Sequence, residues 1–296
     1  MKFFFIILYL LANISYSQNK FEVIDKDTKT SIEYATILFY NSNKFIDGTY
    51  SESNGSFILP TGIDKISISC IGYESKIIEN VINTDKKIIE LEKKAYVLDE
   101  IIVSNIVSKI GSINKKKSND IGVSKGLEIG SYIENNLSKE CKIKNIKFKI
   151  NKIEEDINYR IHLYNSNNDN YLPSDELIKN NIILTLKKGS KGMIIINLED
   201  ENIILPKNGF FITIECLSGK TSPKNKYVLT KKETTFNIEA HKSDLHHYVI
   251  KNSIKGVGWI NYNNWMPNNY KLTFKKEYAK DKLFVPSFGV DLIEIE

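Results

Sequence analysis

Arginine is almost absent from this chain of 296 residues, in which Arg160 is the single example among 41 basic side chains. Bidentate contacts to bases and phosphates rely on the planar guanidinium group, so this scarcity argues against a nucleic-acid-binding protein. Alanine is also rare, with only five residues, whereas isoleucine, tyrosine and phenylalanine are abundant. Because β-branched and aromatic residues favour strands and alanine favours helices, the composition predicts an all-β protein.

Cysteine is scarce as well, with only Cys70, Cys141 and Cys216. No C-x-x-C pair is present, which excludes a zinc ribbon or a thioredoxin-type redox site. Cys70 and Cys216 alternate with isoleucines in strand-like segments, so we expect both to point inward as small apolar residues. A disulfide between Cys141 and Cys216 remains an open alternative, because sequence spacing does not determine its geometry.

Long apolar runs are missing except at the start of the chain, where residues 3–12 follow Lys2 and precede the small residues Ser15 and Ser17. The run is too short for a membrane-spanning helix, which needs roughly 20 apolar residues, but it suits a signal peptide. We therefore predict a signal peptide at residues 1–17 and a mature chain without a transmembrane span that begins at Gln18. The expected location is the periplasm, the outer membrane as an associated protein, or the extracellular space.

Short strand-like segments separated by turns fill residues 21–103. Asp47-Gly48 and Asn54-Gly55 are strong turn dipeptides, and residues 65–71 alternate between apolar and polar side chains. About seven short strands at regular spacing, without a convincing helix, predict a small β-sandwich.

Several motifs of this region occur together in a specific order. They are Ala35, Asp47-Gly48-Thr49, Ser53-Asn54-Gly55-Ser56-Phe57, Ile71-Gly72-Tyr73-Glu74 and Leu98-Asp99-Glu100-Ile101-Ile102-Val103. Residues 18–103 thereby resemble the carboxypeptidase-like regulatory domain, a transthyretin-like Greek-key sandwich of Bacteroidetes envelope proteins. In that family the domain often precedes the plug and barrel of TonB-dependent receptors. Fewer than two hundred residues follow Val103, so we expect this chain to lack both. Residues 98–103 resemble a TonB box, and we interpret them as the last strand of the sandwich.

The remainder of the chain divides into a linker and a second domain. Residues 104–126 are rich in Ser, Asn, Gly and Lys and show no apolar period, which predicts an unstructured linker. Residues 127–296 contain further strand-like segments with Gly-containing turns between them, which predicts a second β-sandwich. The order of its elements resembles the jelly-roll-like sandwiches that accompany such regulatory domains in flavobacterial proteins, a resemblance that implies no activity.

One cluster contains the residue types that bind metal ions, namely His241, Asp244, His246 and His247. Imidazoles and a carboxylate this close in sequence could hold Zn²⁺, although the H-E-x-x-H pattern of catalytic zinc sites is absent. The cluster lies between two strand-like segments, so we interpret it as a polar surface loop and keep metal binding as the alternative. We predict no cofactor.

Sequence motifs for catalysis are also missing. The chain has no G-x-S-x-G, no P-loop and no G-x-G-x-x-G pattern. We therefore predict that it is not an enzyme.

Both tryptophans lie in one aromatic and amide-rich stretch, which includes Trp259, Tyr262 and Trp265. Flat rings beside asparagine amides suit a sugar-binding surface, because sugars stack on rings and hydrogen-bond to amides. In a β-sandwich the same aromatic residues often pack in the core, and this alternative stays open.

Together these patterns predict an exported, non-enzymatic binding or scaffolding module of the bacterial cell envelope. Its expected partner is an envelope protein or a glycan and not a nucleic acid. The first alternative is a carbohydrate-binding protein that uses the aromatic residues of the second domain, and the second is a small envelope enzyme.

Overall fold

The computed structural model describes residues 19–84, 87–95, 103–167, 172–221, 229, 231–243, 248–261 and 283–295. Within these ranges the secondary structure consists of twenty-one strands and three short 3-10 turns, without an α-helix. The predicted all-β fold is confirmed. No described helix has the length and apolar character to cross a membrane. The predicted signal peptide, residues 1–17, lies outside the described residues.

The described residues form two compact units. The first comprises those up to Ser69 together with Glu74–Lys93, and the second comprises Cys70–Tyr73 and those from Lys94 onward. The strands of the first unit are β1 (Lys20–Asp25), β2 (Thr36–Asn41), β3 (Lys44–Tyr50), β4 (Ser56–Ile58), β5 (Lys65–Ser69), β6 (Lys76–Glu79) and β7 (Ile88–Leu91).

The first unit is a β-sandwich of a three-stranded sheet, β4-β1-β7, and a four-stranded sheet, β3-β2-β5-β6. In the three-stranded sheet, the ring centroid of Phe57 lies 5.5 Å from that of Phe21. Across the core it lies 6.3 Å from the ring centroid of Phe39 in the four-stranded sheet. These three buried rings form the centre of the core. Burying an aromatic side chain stabilises the fold by about 2–3 kcal/mol, so rings from both sheets hold the sandwich together.

Of the two predicted turns, one is confirmed and one is wrong. Asn54-Gly55 does form a turn, in which Gly55 has a φ of 74° and a Cβ atom would lie 2.4 Å from the Val23 carbonyl oxygen. Asp47-Gly48 instead lies inside β3. The chain reverses earlier, at Ser42 and Asn43, whose φ values of 48° and 62° suit a tight hairpin. Asp47 and Gly48 face Phe39 and Leu38 in the strand pair, and the register shift lies just before them, at Ile46.

The second unit contains fourteen of the described strands. They are β8 (Val103–Gly111), β9 (Asn119–Val123), β10 (Leu127–Ile133), β11 (Cys141–Ile150), β12 (Ile157–Asn167), β13 (Leu172–Glu176), β14 (Ile183–Leu186), β15 (Gly192–Asn197), β16 (Phe210–Cys216), β17 (Phe236–Ser243), β18 (Tyr248–Asn252), β19 (Val257–Asn261), β20 (Leu283–Pro286) and β21 (Phe288–Ile295). The front sheet has the order β13-β12-β16-β10-β18-β19, with β14 paired to β12. The back sheet has the order β20-β17-β11-β21-β8, with β15 paired to β11 and β9 to β17.

The core of the second unit lies between its front and back sheets. Phe148 of β11 lies 5.9 Å from Tyr159 of β12 and 6.2 Å from Phe288 of β21, between ring centroids. Alternate residues of each strand supply this core, which is why the segments show a period of two in sequence. The predicted second β-sandwich therefore agrees with the observed packing.

The prediction of an unstructured linker at residues 104–126 is wrong for most of its length. β8 pairs antiparallel with β21, where Gly111 faces Gly289, and β9 pairs antiparallel with β17. Local composition conceals these strands because their partners lie more than 100 residues later in sequence. Lys115, Lys116 and Lys117 occupy the connection between the two strands. Most of residues 98–103 lie outside the described ranges, so their interpretation as the last strand of the first sandwich stays a prediction.

No disulfide joins the three cysteines, all of which the structure describes and buries. The inward orientation predicted for Cys70 and Cys216 is confirmed by their burial. Burial raises the pKa of the Cys216 thiol to about 12, so this sulfur stays protonated at neutral pH.

Candidate functional site

The front sheet carries ionisable residues on the face that points away from the core. In β12 the core residues alternate with Arg160, His162 and Tyr164, which lie on the opposite face. The same alternation places Glu215 of β16 and Glu128 of β10 on that face. All five side chains are nevertheless buried. Ionised side chains are seldom buried unless they are paired, so this face requires a full accounting of partners.

Strand register brings these residues into rows across the sheet. Glu215 faces Arg160 on one side and Glu128 on the other, and Glu128 in turn faces Lys251 of β18. The order along the row is therefore a cation, two adjacent carboxylates and a second cation. Directly opposed residues have Cβ atoms roughly 5 Å apart, which is close enough for their side chains to meet.

Arg160, Lys251 and His162 contact the carboxylates of Glu215 and Glu128. The Arg160 guanidinium donates to Glu215 Oε2 over 3.1 Å, and His162 Nε2 lies 3.1 Å from the same oxygen. Lys251 Nζ lies 2.7 Å from Glu128 Oε2. Each buried carboxylate is thus in contact with at least one cationic side chain, the arrangement that burial of charge demands.

Hydroxyl groups complete the environment of Glu128. Tyr164 donates its phenolic proton to Glu128 Oε1 over 3.0 Å, and the Thr213 hydroxyl donates to the same oxygen. Lys251 Nζ also lies 3.4 Å from the Tyr164 oxygen. Burial and the surrounding carboxylates raise the pKa of Tyr164 well above its usual value, so the phenol remains a donor.

A third carboxylate, Glu176 of β13, fixes the imidazole of His162 from its other side. Glu176 Oε2 lies 2.7 Å from His162 Nδ1, while its Oε1 accepts the Leu163 backbone N–H over 3.0 Å. Both ring nitrogens of His162 therefore contact carboxylate oxygens. Burial lowers the pKa of His162, but Glu128 and Glu176 more than offset this effect and raise the pKa to about 9.

We call this group the polar network, defined as Glu128, Arg160, His162, Tyr164, Glu176, Thr213, Glu215 and Lys251. At neutral pH its three carboxylates balance Arg160, Lys251 and protonated His162, so the network has no net charge. Burial raises the pKa of Glu215, but His162 and Arg160 reverse this effect and hold the pKa far below the usual range. The network is consequently a set of mutually stabilised charges.

Several residues of the polar network have side-chain types that bind metal ions. Ligand atoms of Glu128, His162 and Glu215 lie within 4.8 Å of one another. A cation placed among them would have to compete with Arg160 and Lys251, and His162 would have to lose its proton. The residues present fit internal ion pairing better than a metal ion.

Trp259 of β19 lies at the edge of the polar network and is partly exposed. Its ring meets the Tyr164 ring edge to face with centroids 5.4 Å apart, and Lys251 Nζ lies 4.6 Å from the Trp259 centroid. A cation over an aromatic face is attracted by about 0.5–2 kcal/mol. Of the three aromatic residues predicted to bind ligand, Tyr262 and Trp265 lie outside the described residues.

His241 does not lie in a surface loop, contrary to the sequence interpretation. It is a buried residue of β17, because this strand continues to Ser243 and pairs with β20, where His241 faces Val285. Burial and the charge of Lys115 lower the pKa of His241 to about 4. Asp244, His246 and His247, the other residues of the candidate metal cluster, lie outside the described residues.

Sequence reasoning did not identify the polar network as a site. A signal was present, because Arg160 and His162 alternate with core residues in one strand and Arg160 is the single arginine of the chain. Glu128 and Glu215 lie 32 residues before and 55 residues after Arg160, so their proximity depends on strand order.

Comparison with known families identifies the first region. Residues 22–103 match the family model of the CarboxypepD_reg-like domain. The chain therefore contains a carboxypeptidase-like regulatory domain, as the sequence motifs predicted. The match covers less than a third of the chain and does not extend to the polar network.

Two solved structures are similar to the chain at a low level. One is that of the cysteine protease and lectin-like domains of Cwp84, a surface layer associated protein of Clostridium difficile, with 9% identity and a TM-score of 0.36. The other is that of the clostridial cysteine protease Cwp84 after propeptide cleavage, with 10% identity and a TM-score of 0.36. Each match covers 88% of this chain but only 58% and 65% of the respective structures. Such similarity supports no inference about activity. No curated protein matches the chain.

Proposed function

We propose that this chain is an exported, non-enzymatic binding module of the cell envelope, in which the second unit provides the binding face. The observation that carries this proposal is the polar network with Trp259 at its edge. At this face a partly exposed ring lies near two charged groups of the network, Lys251 and Glu176, each of which has 22% of its side chain exposed. A ligand there would meet both directional hydrogen bonds and an apolar contact.

The state of the network supports binding over catalysis. A general base must be unprotonated, and its pKa should lie near the pH at which the enzyme works. The pKa of His162 is about 9, and both of its ring nitrogens contact carboxylates. A carboxylate nucleophile or acid would need freedom to approach a substrate, whereas Glu128 and Glu215 are buried in contact with cations. These side chains hold one another in a fixed arrangement of charges, which suits binding better than catalysis.

A carbohydrate is the ligand class that Trp259 favours. Sugar rings stack on indole faces, and their hydroxyls accept from ammonium groups and donate to carboxylates. Lys251 lies beside the Trp259 ring and has 22% of its side chain exposed, so it could reach a ligand at that ring. The partner on the envelope would then be a glycan.

A pair of matched variants tests the carbohydrate proposal. Trp259→Ala is compared with Tyr40→Ala, because Tyr40 of the first unit also has an edge-to-face aromatic partner, Phe45, and a lysine above its ring. Both proteins are applied to a glycan array and checked by thermal unfolding. We expect glycan binding to disappear in Trp259→Ala alone. Equal glycan binding by both folded variants would overturn the role of Trp259. The absence of glycan binding by the wild type would overturn the carbohydrate ligand, and binding to envelope proteins would then be measured.

Export is tested separately. Mass spectrometry of the protein from its native host should find a chain that starts at Gln18, the residue after the expected cleavage site. Recovery of intact Met1 from the cytoplasm would contradict export.

A further inference from the structure

A cavity of about 330 Å³ lies in the second unit, and Trp259 is not among its lining residues. Its lining comes from the front sheet through Ser131 of β10, and from the back sheet through His241 of β17 and Val285 of β20. These three residues are buried, with exposed fractions of 2%, 4% and 4%. The volume is within the range of small-molecule sites in proteins, about 300–1,000 Å³.

The buried part of the cavity includes an imidazole nitrogen with unused hydrogen-bonding capacity. His241 Nδ1 lies 3.0 Å from the Ser287 hydroxyl. In the described part of the chain, His241 Nε2 has no hydrogen-bond partner. This nitrogen is therefore available to contact a ligand in the cavity.

The mouth of the cavity carries one cation and one anion. Lys115, from the connection between β8 and β9, and Glu134, directly after β10, both line it and are exposed. Among the described residues neither side chain has an ion-pair partner. These are the charged groups among the lining residues, so the lining has no net charge when His241 is neutral.

Hydrogen-bonding groups along the cavity lining include both donors and acceptors. Asn136 contributes an amide, and Lys115 an ammonium group. The hydroxyls of Ser131 and Ser112 donate to the backbone carbonyls of Pro286 and Phe288, over 3.1 Å and 3.4 Å, so their lone pairs remain to accept from a ligand. A ligand with a carboxylate and an ammonium group would match this set.

We propose that this cavity binds a small zwitterion of the α-amino-acid class, with its carboxylate at Lys115 and His241 and its ammonium group at Glu134. The source is a free amino acid or the end of a short peptide, which share this chemistry. The proposal does not rest on the proposed function, because neither Trp259 nor a residue of the polar network lines this cavity.

Proton uptake would accompany such binding. Burial and Lys115 hold the pKa of His241 at about 4, and a carboxylate beside the ring would raise it. Each unit by which the bound ligand raises the pKa of His241 makes binding up to tenfold tighter at a pH below the pKa of His241 in the complex. Affinity should therefore increase between pH 7 and pH 5.

Calorimetric titration of the full chain with L-alanine tests the proposal. Lys115→Gln should weaken alanine binding at least tenfold, whereas Lys116→Gln, the adjacent lysine that does not line the cavity, should not. The enthalpy measured in buffers of different ionisation enthalpy should reveal proton uptake by the wild type and not by His241→Gln.

Three further titrations separate the sources and the alternatives. Tighter binding of alanyl-alanine than of alanine would support a peptide end, and the reverse order would support a free amino acid. Acetate or methylammonium that binds as tightly as alanine would overturn the zwitterion. So would the absence of alanine binding at millimolar concentration, or equal affinity in the two lysine variants.

Discussion

Replacement of His162 by glutamine should remove a specific loss of stability at alkaline pH. In the folded protein the pKa of His162 is about 9, because Glu128 and Glu176 outweigh the effect of burial, whereas the unfolded value is near 6.5. The folded state therefore binds this proton more tightly. The resulting stabilisation is complete below pH 6.5 and is lost as the pH rises to about 9.

The difference of about 2.5 pKa units corresponds to about 3 kcal/mol of unfolding free energy. We expect the wild type to lose about this amount between pH 6.5 and 9. His162→Gln has no ionisable group at this position, so its stability should start lower and remain nearly constant over that range. The three cysteines are common to both proteins, and their contribution cancels in the comparison.

Urea unfolding followed by tryptophan fluorescence is the appropriate assay. Both tryptophans, Trp259 and Trp265, belong to the second unit, so the signal reports on the unit that contains the polar network. His241→Gln is the matched control. The pKa of His241 is about 4 in the folded state and near 6.5 in the unfolded state, so His241 is neutral in both states above about pH 7.5 and this variant should keep the alkaline loss.

Two results would refute this reasoning. If wild-type stability is constant between pH 6.5 and 9, His162 is not held in its charged form. If His162→Gln loses as much stability as the wild type, another group is responsible for the alkaline effect.

Two further perturbations test the network and the corrected linker. Lys251→Met should destabilise the second unit by about 3–5 kcal/mol, because it removes the cation beside buried Glu128; Lys187→Met, whose partner Asp156 is exposed, should leave the unfolding midpoint unchanged. Equal midpoints for the two variants would contradict a buried ion pair. Deletion of residues 103–123 should abolish the cooperative unfolding transition of the second unit, because β21 and β17 lose their partners β8 and β9. A retained transition would restore the interpretation of this segment as a linker.

The all-β class, the regulatory domain and the inward orientation of Cys70 and Cys216 could all be predicted from the amino-acid sequence. These features depend on local information. Branched and aromatic residues with a period of two specify a strand and which side chains share a face, and Asn54-Gly55 specifies a turn through a positive φ. Local information was misleading at Asp47-Gly48, where pairing with β2 placed the dipeptide inside a strand.

The meeting of the charged side chains and the assignment of β8 and β9 to the second unit depend on the folded structure. The alternation in β12 shows that Arg160 and His162 share a face, but it does not show that Glu215 and Glu128 lie beside them. That proximity arises from strand order and register, which depend on pairing between segments far apart in sequence. The same reason explains β8 and β9. The apolar residues of β8 do not alternate and β9 has only five residues, so their strand structure depends on the partners that β21 and β17 provide.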